Sequence, residues 1–275
     1  MLIGIYLKNE EILENPRLSA MKSSLEESGC VLYYIEGAQL REGTDLVISA
    51  GGDGTFLSAS RCVADRGIPL LGVNLGRLGF LSENKPEDVA HSLVGRTFEI
   101  EDRTMLAAEI RGGVAISRDK FWPFALNEIT VHRSGAAVLG INVKIDGESL
   151  PTYWADGLLV ATSSGSTAYS LSAGGPICSP AAKVLIIAPI APHNLNVRPL
   201  VIPEASTVEM NIISRDDTAI LTMDNQTMTI DSRVTISVSM AQFSLKRIRL
   251  PKSGFVKALV SKLFWGEDIR NNCDS

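Results

Sequence analysis

The chain has 275 residues, 45% of them hydrophobic and 21% charged, which are proportions of an ordinary soluble protein and exclude a disordered, collagenous or fibrous chain. At about 150 residues per domain, this length favours two domains with enough core to fold without disulfides or a structural metal. The 26 Lys and Arg residues against 31 Asp and Glu residues give a net charge of −5, which argues against general nucleic-acid binding but leaves open a small anionic ligand held by backbone N–H groups.

The first third of the chain alternates strand and helix patterns. Strands are predicted over 2–7, 31–35, 45–50 and 68–73. Helices are predicted between Asn15-Pro16 and Gly29, over 56–65 and over 86–93, because Asn-Pro opens a helix and glycine closes one. This alternation predicts a parallel, Rossmann-like sheet with helices on both faces.

Beyond about residue 97 the pattern changes to short strand-like runs separated by turn residues. These runs lie at 107–110, 137–145, 157–161, 184–188, 208–213, 219–223, 228–230 and 234–238. They predict a mostly antiparallel, β-sandwich-like domain. A late helix over 255–264 is expected to pack back onto the first domain. The predicted division is an α/β domain at 1–96, completed by 253–275, and a β-rich domain at 97–252.

Three further features bear on the compartment. The four cysteines are far apart and form no C-x-x-C pair: Cys30, Cys62, Cys178 and Cys273. Neither a zinc site nor a disulfide framework is indicated, and reduced thiols fit the cytosol. The N-terminus lacks the basic start and cleavage site of a signal peptide, and the most apolar run, 184–192, is too short to span a membrane. We therefore expect a cytoplasmic protein with no membrane partner.

The turn Gly51-Gly52-Asp53-Gly54-Thr55 follows a predicted buried strand and precedes a predicted helix. Glycines let a ligand approach the backbone, and the free N–H groups of a helix start bind anions. A carboxylate there is useful beside phosphate if it accepts a proton from an attacking hydroxyl or holds Mg²⁺. An ordinary tight turn with Asp53 as the helix N-cap fits these residues equally well. The Walker, dinucleotide-binding and protein-kinase signatures are all missing from the sequence.

A second group of candidate residues lies in the β-rich part. Asn127 and Glu128 precede a strand-like run, and an amide beside a carboxylate suits adenine or ribose recognition. Taken by themselves, the two residues are better explained as the ordinary start of a strand. Asp156 opens a run that ends in the hydroxyl-rich block 162–170, which surrounds Gly165. Small polar groups and close backbone approach suit a nucleotide pocket, and we favour this interpretation over a plain Ser/Thr loop.

A third group consists of His193 and Arg198. Arg198 is suited to binding phosphate or carboxylate, and a structural ion pair is at least as good an explanation. His91 and His132 have no partner residues nearby in the sequence, and we expect them to be surface or packed residues.

Taken together, these segments resemble the NAD kinase family. The glycine turn alone is shared with lipid kinases and phosphofructokinases, whereas the Asn-Glu pair and the Gly-Ser-Thr-Ala-Tyr block single out NAD kinases. The resemblance rests on 51–55, 74–81, 126–128, 156–157 with 165–169, 172–176, and 192–193 with 198–199, in the family's order.

The resemblance implies a reaction and its partners. The reaction is ATP-dependent phosphorylation of the adenosine-ribose 2′-hydroxyl of NAD to give NADP, with Mg²⁺ or another divalent cation. The bound partners are NAD and ATP, and a homo-oligomer, a dimer or tetramer, completes the site from a neighbouring subunit. The protein ligands of the metal, the use of NADH in place of NAD, and the use of polyphosphate in place of ATP stay open.

The resemblance also implies residue roles. Asp53 corresponds to the base for the 2′-hydroxyl, and Asn127 and Glu128 correspond to the pair that binds adenosine and ribose. Other matching positions are Gly52, Gly54 and Thr55 beside the phosphates, Phe80 beside the dinucleotide, Asp156 near its nicotinamide end, Thr162, Ser166, Thr167, Ala168 and Tyr169 in the adenine-side loop, and His193 near the substrate's far end.

Three positions depart from the family pattern. The chain has Thr162-Ser163-Ser164 where Thr-Pro-Thr is usual, Arg77 where many members have His, and Asp224-Asn225 where Asp-Gly is common. Asn tolerates left-handed backbone, so we expect a turn at 224–225. None of these changes removes a residue with an implied chemical role, so an active enzyme is expected. A lipid kinase of the diacylglycerol or sphingosine type and a non-catalytic dinucleotide sensor are the alternatives.

Overall fold

The structure, a computed structural model, describes residues 1–76, 79–112 and 121–265. Arg77, Cys273 and the last ten residues therefore lie outside the described part. The chain forms two compact units, an N-terminal unit of Met1–Asp102 with the chain from Leu245 onward, and a C-terminal unit of Arg103–Ser244. The domain boundaries at 96 and 252 stay predictions.

The N-terminal unit is built on a parallel sheet with the strand order β2-β1-β3-β4-β17, in which every adjacent pair is parallel. Two of the interior strands, β3 and β4, are buried along their whole length, as expected where helices cover both faces. The strands are β1 Leu2–Tyr6, β2 Val31–Tyr34, β3 Leu46–Ala50, β4 Leu70–Val73 and the end of β17 Thr235–Arg249.

Helices lie on both faces of this sheet, which confirms the predicted fold class. One face packs against α1 and α3 through Leu18 and Val89. Gly72 points to the opposite face, where a Cβ atom would lie 2.9 Å from the ring of Phe56. The helices of the unit are α1 Pro16–Glu27, α2 Asp53–Val63, α3 Pro86–Val94 and α5 Phe255–Leu263.

The start of α1 agrees with its prediction, whereas the start of α2 does not. Asn15 caps α1 as predicted, because its side chain accepts hydrogen bonds from the backbone N–H groups of Arg17 and Leu18. The predicted start of the next helix at residue 56 was wrong, since α2 begins at Asp53. The glycine-rich turn is therefore shorter than expected, and Asp53 belongs to the first helical turn.

The C-terminal unit contains a six-stranded antiparallel sheet with the order β13-β12-β11-β7-β15-β16. A second set of antiparallel pairs joins β10, β8, β14 and the start of β17, with β9 on β8 and β6 on β5. β5, Glu99–Arg111, begins in the N-terminal unit and enters this unit at Arg103. The other strands are β6 Phe124–Ala125, β7 Glu128–Arg133, β8 Leu139–Ile145, β9 Glu148–Ser149, β10 Tyr153–Ala155, β11 Gly157–Thr162, β12 Val184–Ile190, β13 Leu200–Pro203, β14 Val208–Ile213, β15 Thr218–Met223 and β16 Gln226–Asp231.

Alternate residues of both strand sets form one apolar core in this unit, including Ile141 of β8 and Leu158 of β11, so the predicted β-sandwich-like arrangement is confirmed. The opposite side of β11, with Leu159 and Ala161, packs with β12 and with Ala173. The hydroxyl-rich block is helical rather than a plain loop, with a 3₁₀ turn at Ser164–Thr167 followed by α4 at Tyr169–Ser172. No helix in the described ranges is long and apolar enough to cross a membrane.

Candidate active site

The turn after β3 is fixed by its backbone. Gly51 has a φ of 150°, and a Cβ atom there would lie 2.5 Å from Thr55 Oγ1, so glycine is required at this position. Its N–H donates to the carbonyl of Val73 at 2.9 Å, which ties the turn to the end of β4. Gly52 is the N-cap of α2, and the alternative in which Asp53 caps the helix is therefore wrong.

Gly52 and Gly54 border open space. Apart from the adjoining residues and helix backbone, no described atom lies within 4 Å of a Cβ built on either residue, and the φ of Gly52, −84°, suits any amino acid. Neither packing nor backbone conformation therefore requires glycine at position 52. Without a side chain there, the backbone N–H groups at the start of α2 are accessible, and such groups at the positive end of a helix dipole bind anions.

Asp53 binds a neighbouring segment rather than capping its own helix. Its carboxylate accepts backbone hydrogen bonds from Phe80 at 2.9 Å, from Leu81 at 3.0 Å and from Ser82 at 2.9 Å. A Cβ atom on Gly79 would overlap this carboxylate, so the backbone at residue 79 lies directly against it. The Asp53 side chain remains 31% exposed. Because a carboxylate accepts about four hydrogen bonds, Asp53 can hold the segment and still face a ligand.

Residues of α5 contact Phe80 and lie close to the Asp53 carboxylate. The rings of Phe80 and Phe255 are 6.4 Å apart between centroids. Lys262 Nζ lies 4.3 Å from the centre of the Phe80 ring and 3.8 Å from Asp53 Oδ2. Lys262 was not among the predicted site residues, since a lysine on an amphipathic helix far along the chain carries no local pattern that marks it.

In the C-terminal unit, Asp224 clamps the Asn-Glu pair. Its carboxylate accepts hydrogen bonds from the backbone N–H groups of Leu126 and Asn127, both at 2.8 Å, and of Glu128 at 3.3 Å. The predicted turn at 224–225 is present, and its left-handed residue is Asp224, with a φ of 51°. This role of Asp224 was also missed, because it depends on the antiparallel pairing of β15 with β7.

Glu128 and Asn127 each carry a buried side-chain oxygen to which no described residue donates a hydrogen bond. Glu128 is 8% exposed, and burial, reinforced by the negative charge of Asp224, raises the pKa of Glu128 to about 8 against a weaker opposing effect of the Tyr169 backbone N–H. Among the described residues, Glu128 Oε2 and Asn127 Oδ1 have no hydrogen-bond partner. Such atoms cost free energy when buried, so a ligand that supplies partners gains affinity here.

The face of β7 that carries Glu128 also carries Thr130 and His132, because alternate strand residues share a face. Thr130 Oγ1 is buried and, within the described part of the chain, unpartnered, and the same holds for Ser170 Oγ. His132 stacks on Tyr169 with ring centroids 5.6 Å apart. His132 is thus packed, as expected, but its partner is a predicted site residue. Alternation from Glu128 was the pattern that could have revealed Thr130 and His132.

The hydroxyl-rich block packs directly on the Asn-Glu pair. Thr162 Oγ1 donates to the Leu126 carbonyl at 2.6 Å and accepts from the Gly165 N–H at 3.1 Å. A Cβ atom on Gly165 would overlap the Asn127 carbonyl, so this glycine is required for the close approach. The structure therefore brings together Asn127, Glu128, Thr162 and the start of α4.

The other residues of the block differ in what they offer. Ser166 is buried, and its hydroxyl donates to the Cys178 carbonyl at 3.1 Å and accepts from the Cys178 N–H at 3.0 Å. Its hydroxyl is therefore occupied in closing the loop. Thr167 and Ala168 are half-buried, whereas Tyr169 is exposed.

Three predicted residues lie at the edges of this group. Asp156 forms an ion pair with Arg133, with 2.8 Å between Oδ1 and Nε. His193 is exposed, and its backbone N–H donates to the Trp154 carbonyl at 2.8 Å. Arg198 donates to carbonyls of its own loop, at 2.6 and 2.9 Å. These hydrogen bonds give the side chain a structural role that does not require an ion pair.

No group of three or more His, Cys, Asp or Glu side chains that could hold a metal ion occurs within the described ranges. Magnesium in nucleotide sites keeps several waters and is held by one or two carboxylates together with the substrate's phosphates. A single carboxylate beside an anion-binding turn, Asp53, therefore fits a cation that arrives with a nucleotide.

The N-terminal unit carries a glycine turn with a carboxylate at a helix start, and the C-terminal unit carries a buried amide–carboxylate pair; each is a feature expected of a nucleotide-dependent phosphotransferase. Two family descriptions match the chain, the ATP-NAD kinase N-terminal domain over residues 9–96 and the ATP-NAD kinase C-terminal domain over residues 126–250. The NAD kinase of Flavobacterium psychrophilum is 40% identical over 236 residues, which are 84% of this chain and 80% of that protein. The chain belongs to the ATP-NAD kinase family.

Two solved structures are similar over almost the whole chain. A yeast NADH kinase complexed with NADH has a TM-score of 0.83 at 25% identity, and the match covers 98% of this chain and 89% of that one. An NAD kinase from Archaeoglobus fulgidus in complex with ATP has a TM-score of 0.77 at 25% identity, with coverages of 92% and 95%. Both share the fold described above.

Proposed function

We propose that this protein transfers the γ-phosphoryl group of ATP to the adenosine-ribose 2′-hydroxyl of NAD, giving NADP and ADP. The observation that carries the proposal is the Asp53 carboxylate, which three backbone N–H groups hold beside an open, glycine-lined helix start. Membership of the ATP-NAD kinase family supports the reaction. It argues against the lipid-kinase and sensor alternatives.

ATP would bind through its phosphates at the turn that contains Gly52 and Gly54, with Thr55 beside them. Phosphoryl transfer has a loose transition state, so positioning and charge stabilisation supply most of the rate. Backbone N–H groups at the start of α2 are suited to this, because they are fixed by the helix before ATP binds. A divalent cation, Mg²⁺ in the first instance, would be held by the phosphates with Asp53 as the adjacent carboxylate, and would neutralise part of their charge.

NAD would bind at Asn127 and Glu128 through its adenosine half. Asn127 Oδ1 can accept a hydrogen bond from the adenine amine or a hydroxyl. With a pKa raised to about 8, Glu128 is protonated near neutral pH, so its carboxyl group both donates to and accepts from a ribose hydroxyl. The other proposed contacts, as the family resemblance implies, are Phe80, Asp156, Thr162, Ser166, Thr167, Ala168, Tyr169 and His193.

Asp53 would accept the proton of the 2′-hydroxyl as that oxygen bonds to the γ-phosphorus. The bond from the γ-phosphorus to the bridging oxygen of ADP breaks in the same displacement. Oδ2 accepts a single backbone hydrogen bond, from Phe80, and therefore retains capacity for the hydroxyl. The three N–H groups fix the carboxylate's orientation before substrate arrives, which is the preorganisation that general-base catalysis needs.

The test is an incubation of the purified protein with ATP, Mg²⁺ and NAD, followed by quantification of NADP with an NADP-specific dehydrogenase. NADP formation that depends on both ATP and the cation is expected. Parallel incubations replace NAD by NADH, ATP by polyphosphate, and NAD by diacylglycerol or sphingosine. A phosphorylated lipid without NADP would establish the lipid kinase instead, and dinucleotide binding without NADP formation would establish the sensor.

The protein is further proposed to be a cytoplasmic homo-oligomer, either a dimer or a tetramer. The cysteines of the described part, Cys30, Cys62 and Cys178, are free thiols, which suits a reducing compartment. Light scattering coupled to size-exclusion chromatography gives the subunit number, and a single-subunit mass at micromolar concentration would refute the oligomer.

A further inference from the structure

One face of α5 contacts Phe80, in the segment 80–82 whose backbone N–H groups donate to Asp53. Phe255 and Lys262 are seven residues apart, so they lie on the same side of the helix, two turns from each other. Both contact Phe80, one by its ring at 6.4 Å and the other by its ammonium at 4.3 Å. Since the Phe80 N–H is bound to Asp53, α5 places Lys262 beside the carboxylate of the glycine turn after β3.

The ammonium of Lys262 can still donate hydrogen bonds to a ligand. Its Nζ lies 3.8 Å from Asp53 Oδ2, which is an ion-pair distance and too long for a hydrogen bond. Its contact with the Phe80 ring is a cation–π interaction, which depends on the positive charge and leaves the N–H groups without a hydrogen-bond acceptor. The side chain is 27% exposed, and within the described ranges none of its three N–H groups has a hydrogen-bond acceptor, so a ligand at the turn can reach the ammonium.

The charge balance at the turn makes such a cation useful. Asp53 brings a negative charge to a place proposed for the phosphates of ATP, and the two repel each other. The helix dipole contributes only about half a unit charge, and the divalent cation proposed above neutralises part of the phosphate charge, so net negative charge remains at the turn. A lysine within 4 Å of the carboxylate supplies a full positive charge and holds the two anionic groups in one site.

We propose that Lys262 binds a non-bridging oxygen of the ATP γ-phosphoryl group and stabilises its charge during transfer. This inference rests on the proposed function and names a residue for it. The displacement proceeds as described above, with the 2′-hydroxyl proton passing to Asp53, and Lys262 takes no part in the proton transfer. Its contribution is electrostatic, like that of the cationic clamps on transferred phosphoryl groups in other enzymes.

The test compares Lys262→Met with Lys257→Met. Both lysines lie on α5, and Lys257 donates to the Lys252 carbonyl at 3.1 Å, away from Asp53. Lys262→Met should lower kcat by about 10²-fold, the typical loss on removing one charge-stabilising group, and weaken ATP binding several-fold by calorimetry, while the KM for NAD stays within twofold. Lys257→Met should leave all three quantities within twofold, and Lys262→Arg should recover part of the lost activity.

The alternative is that Lys262 merely holds Asp53 or α5 in place. A structural role would lower the thermal unfolding midpoint of Lys262→Met and weaken NAD and ATP binding alike. A role through Asp53 predicts that the double variant Asp53→Asn/Lys262→Met has the same ATP affinity as Asp53→Asn. Either result overturns the proposal, as does a Lys262→Met enzyme that matches Lys257→Met. ATP affinity is measured without NAD, so it tests Lys262 even if wild-type protein forms no NADP, the result that would instead refute the proposed function.

Discussion

Glu128 should make the stability of the protein fall as pH rises, and Glu128→Gln should remove that dependence. The pKa of Glu128 is raised from 4.5 to about 8 in the folded protein because the carboxyl group is buried and faces the charge of Asp224. The folded state therefore binds this proton more tightly than the unfolded state does. Its contribution to stability is complete below pH 4.5 and is lost as pH rises toward about 8.

The size of the effect follows from proton linkage. Between these two pKa values the folded chain carries one proton that the unfolded chain lacks, so each pH unit costs about 1.4 kcal/mol of unfolding free energy. From pH 5.5 to pH 7.5 the loss from this single group is on the order of 3 kcal/mol. Glutamine has nearly the same shape and does not titrate, so the variant escapes this loss.

The measurement is guanidinium unfolding of the wild type and Glu128→Gln at several pH values between 5.5 and 7.5. Other titrating groups are shared, so they cancel in the difference between the two proteins, which should rise by about 1.4 kcal/mol per pH unit in favour of the variant. Thr130→Val is the matched control, since Thr130 is buried on the same face of β7 and has no titrating group; its difference should be flat. A Glu128→Gln difference that does not change with pH would refute the assigned protonation state.

Three other substitutions test the site. Asp53→Asn should lower kcat by about 10²-fold or more while calorimetry still detects NAD binding, and near-normal turnover would contradict the role of Asp53 as base. Gly79→Ala places a methyl group on the Asp53 carboxylate and should lower the unfolding free energy by about 1–3 kcal/mol, whereas Gly76→Ala, which meets no described atom within 4 Å, should not. Asp224→Ala leaves three backbone N–H groups without their acceptor and should cost about 3 kcal/mol in guanidinium unfolding; a loss below about 0.5 kcal/mol would show that water replaces the carboxylate.

The starts of helices and the glycine turn could be predicted from the sequence because the residues that cause them lie within a few positions. Asn15-Pro16 marks the start of α1, since a side-chain cap and a preset φ act on the residues that follow. The glycines of the turn after β3 predict exposed backbone at a helix start for the same reason. The error there, a helix expected from residue 56 that begins at Asp53, arose because glycine has a low helix propensity and tertiary packing overrides it.

Partners that are distant along the chain could not be read in this way. The sequence marked Asp53 as important, but only the parallel pairing of β3 with β4 brings the 80–82 N–H groups to its carboxylate. Likewise the Asn-Glu pair was recognised, whereas its clamp, Asp224, depends on the register of β15 against β7. Register follows from the packing of whole strands, and a single residue's neighbours in sequence do not contain it.

The two-part α/β and antiparallel β architecture, the glycine turn after β3 and the resemblance to NAD kinases follow from the sequence alone, because hydrophobic period and turn residues act over a few positions. Tertiary structure alone decided which groups face the proposed substrates and in what state. It buried Glu128 beside Asp224 and so kept it protonated near neutral pH. It also placed Lys262 within 4 Å of Asp53, because charge and burial at a point depend on every segment that packs there.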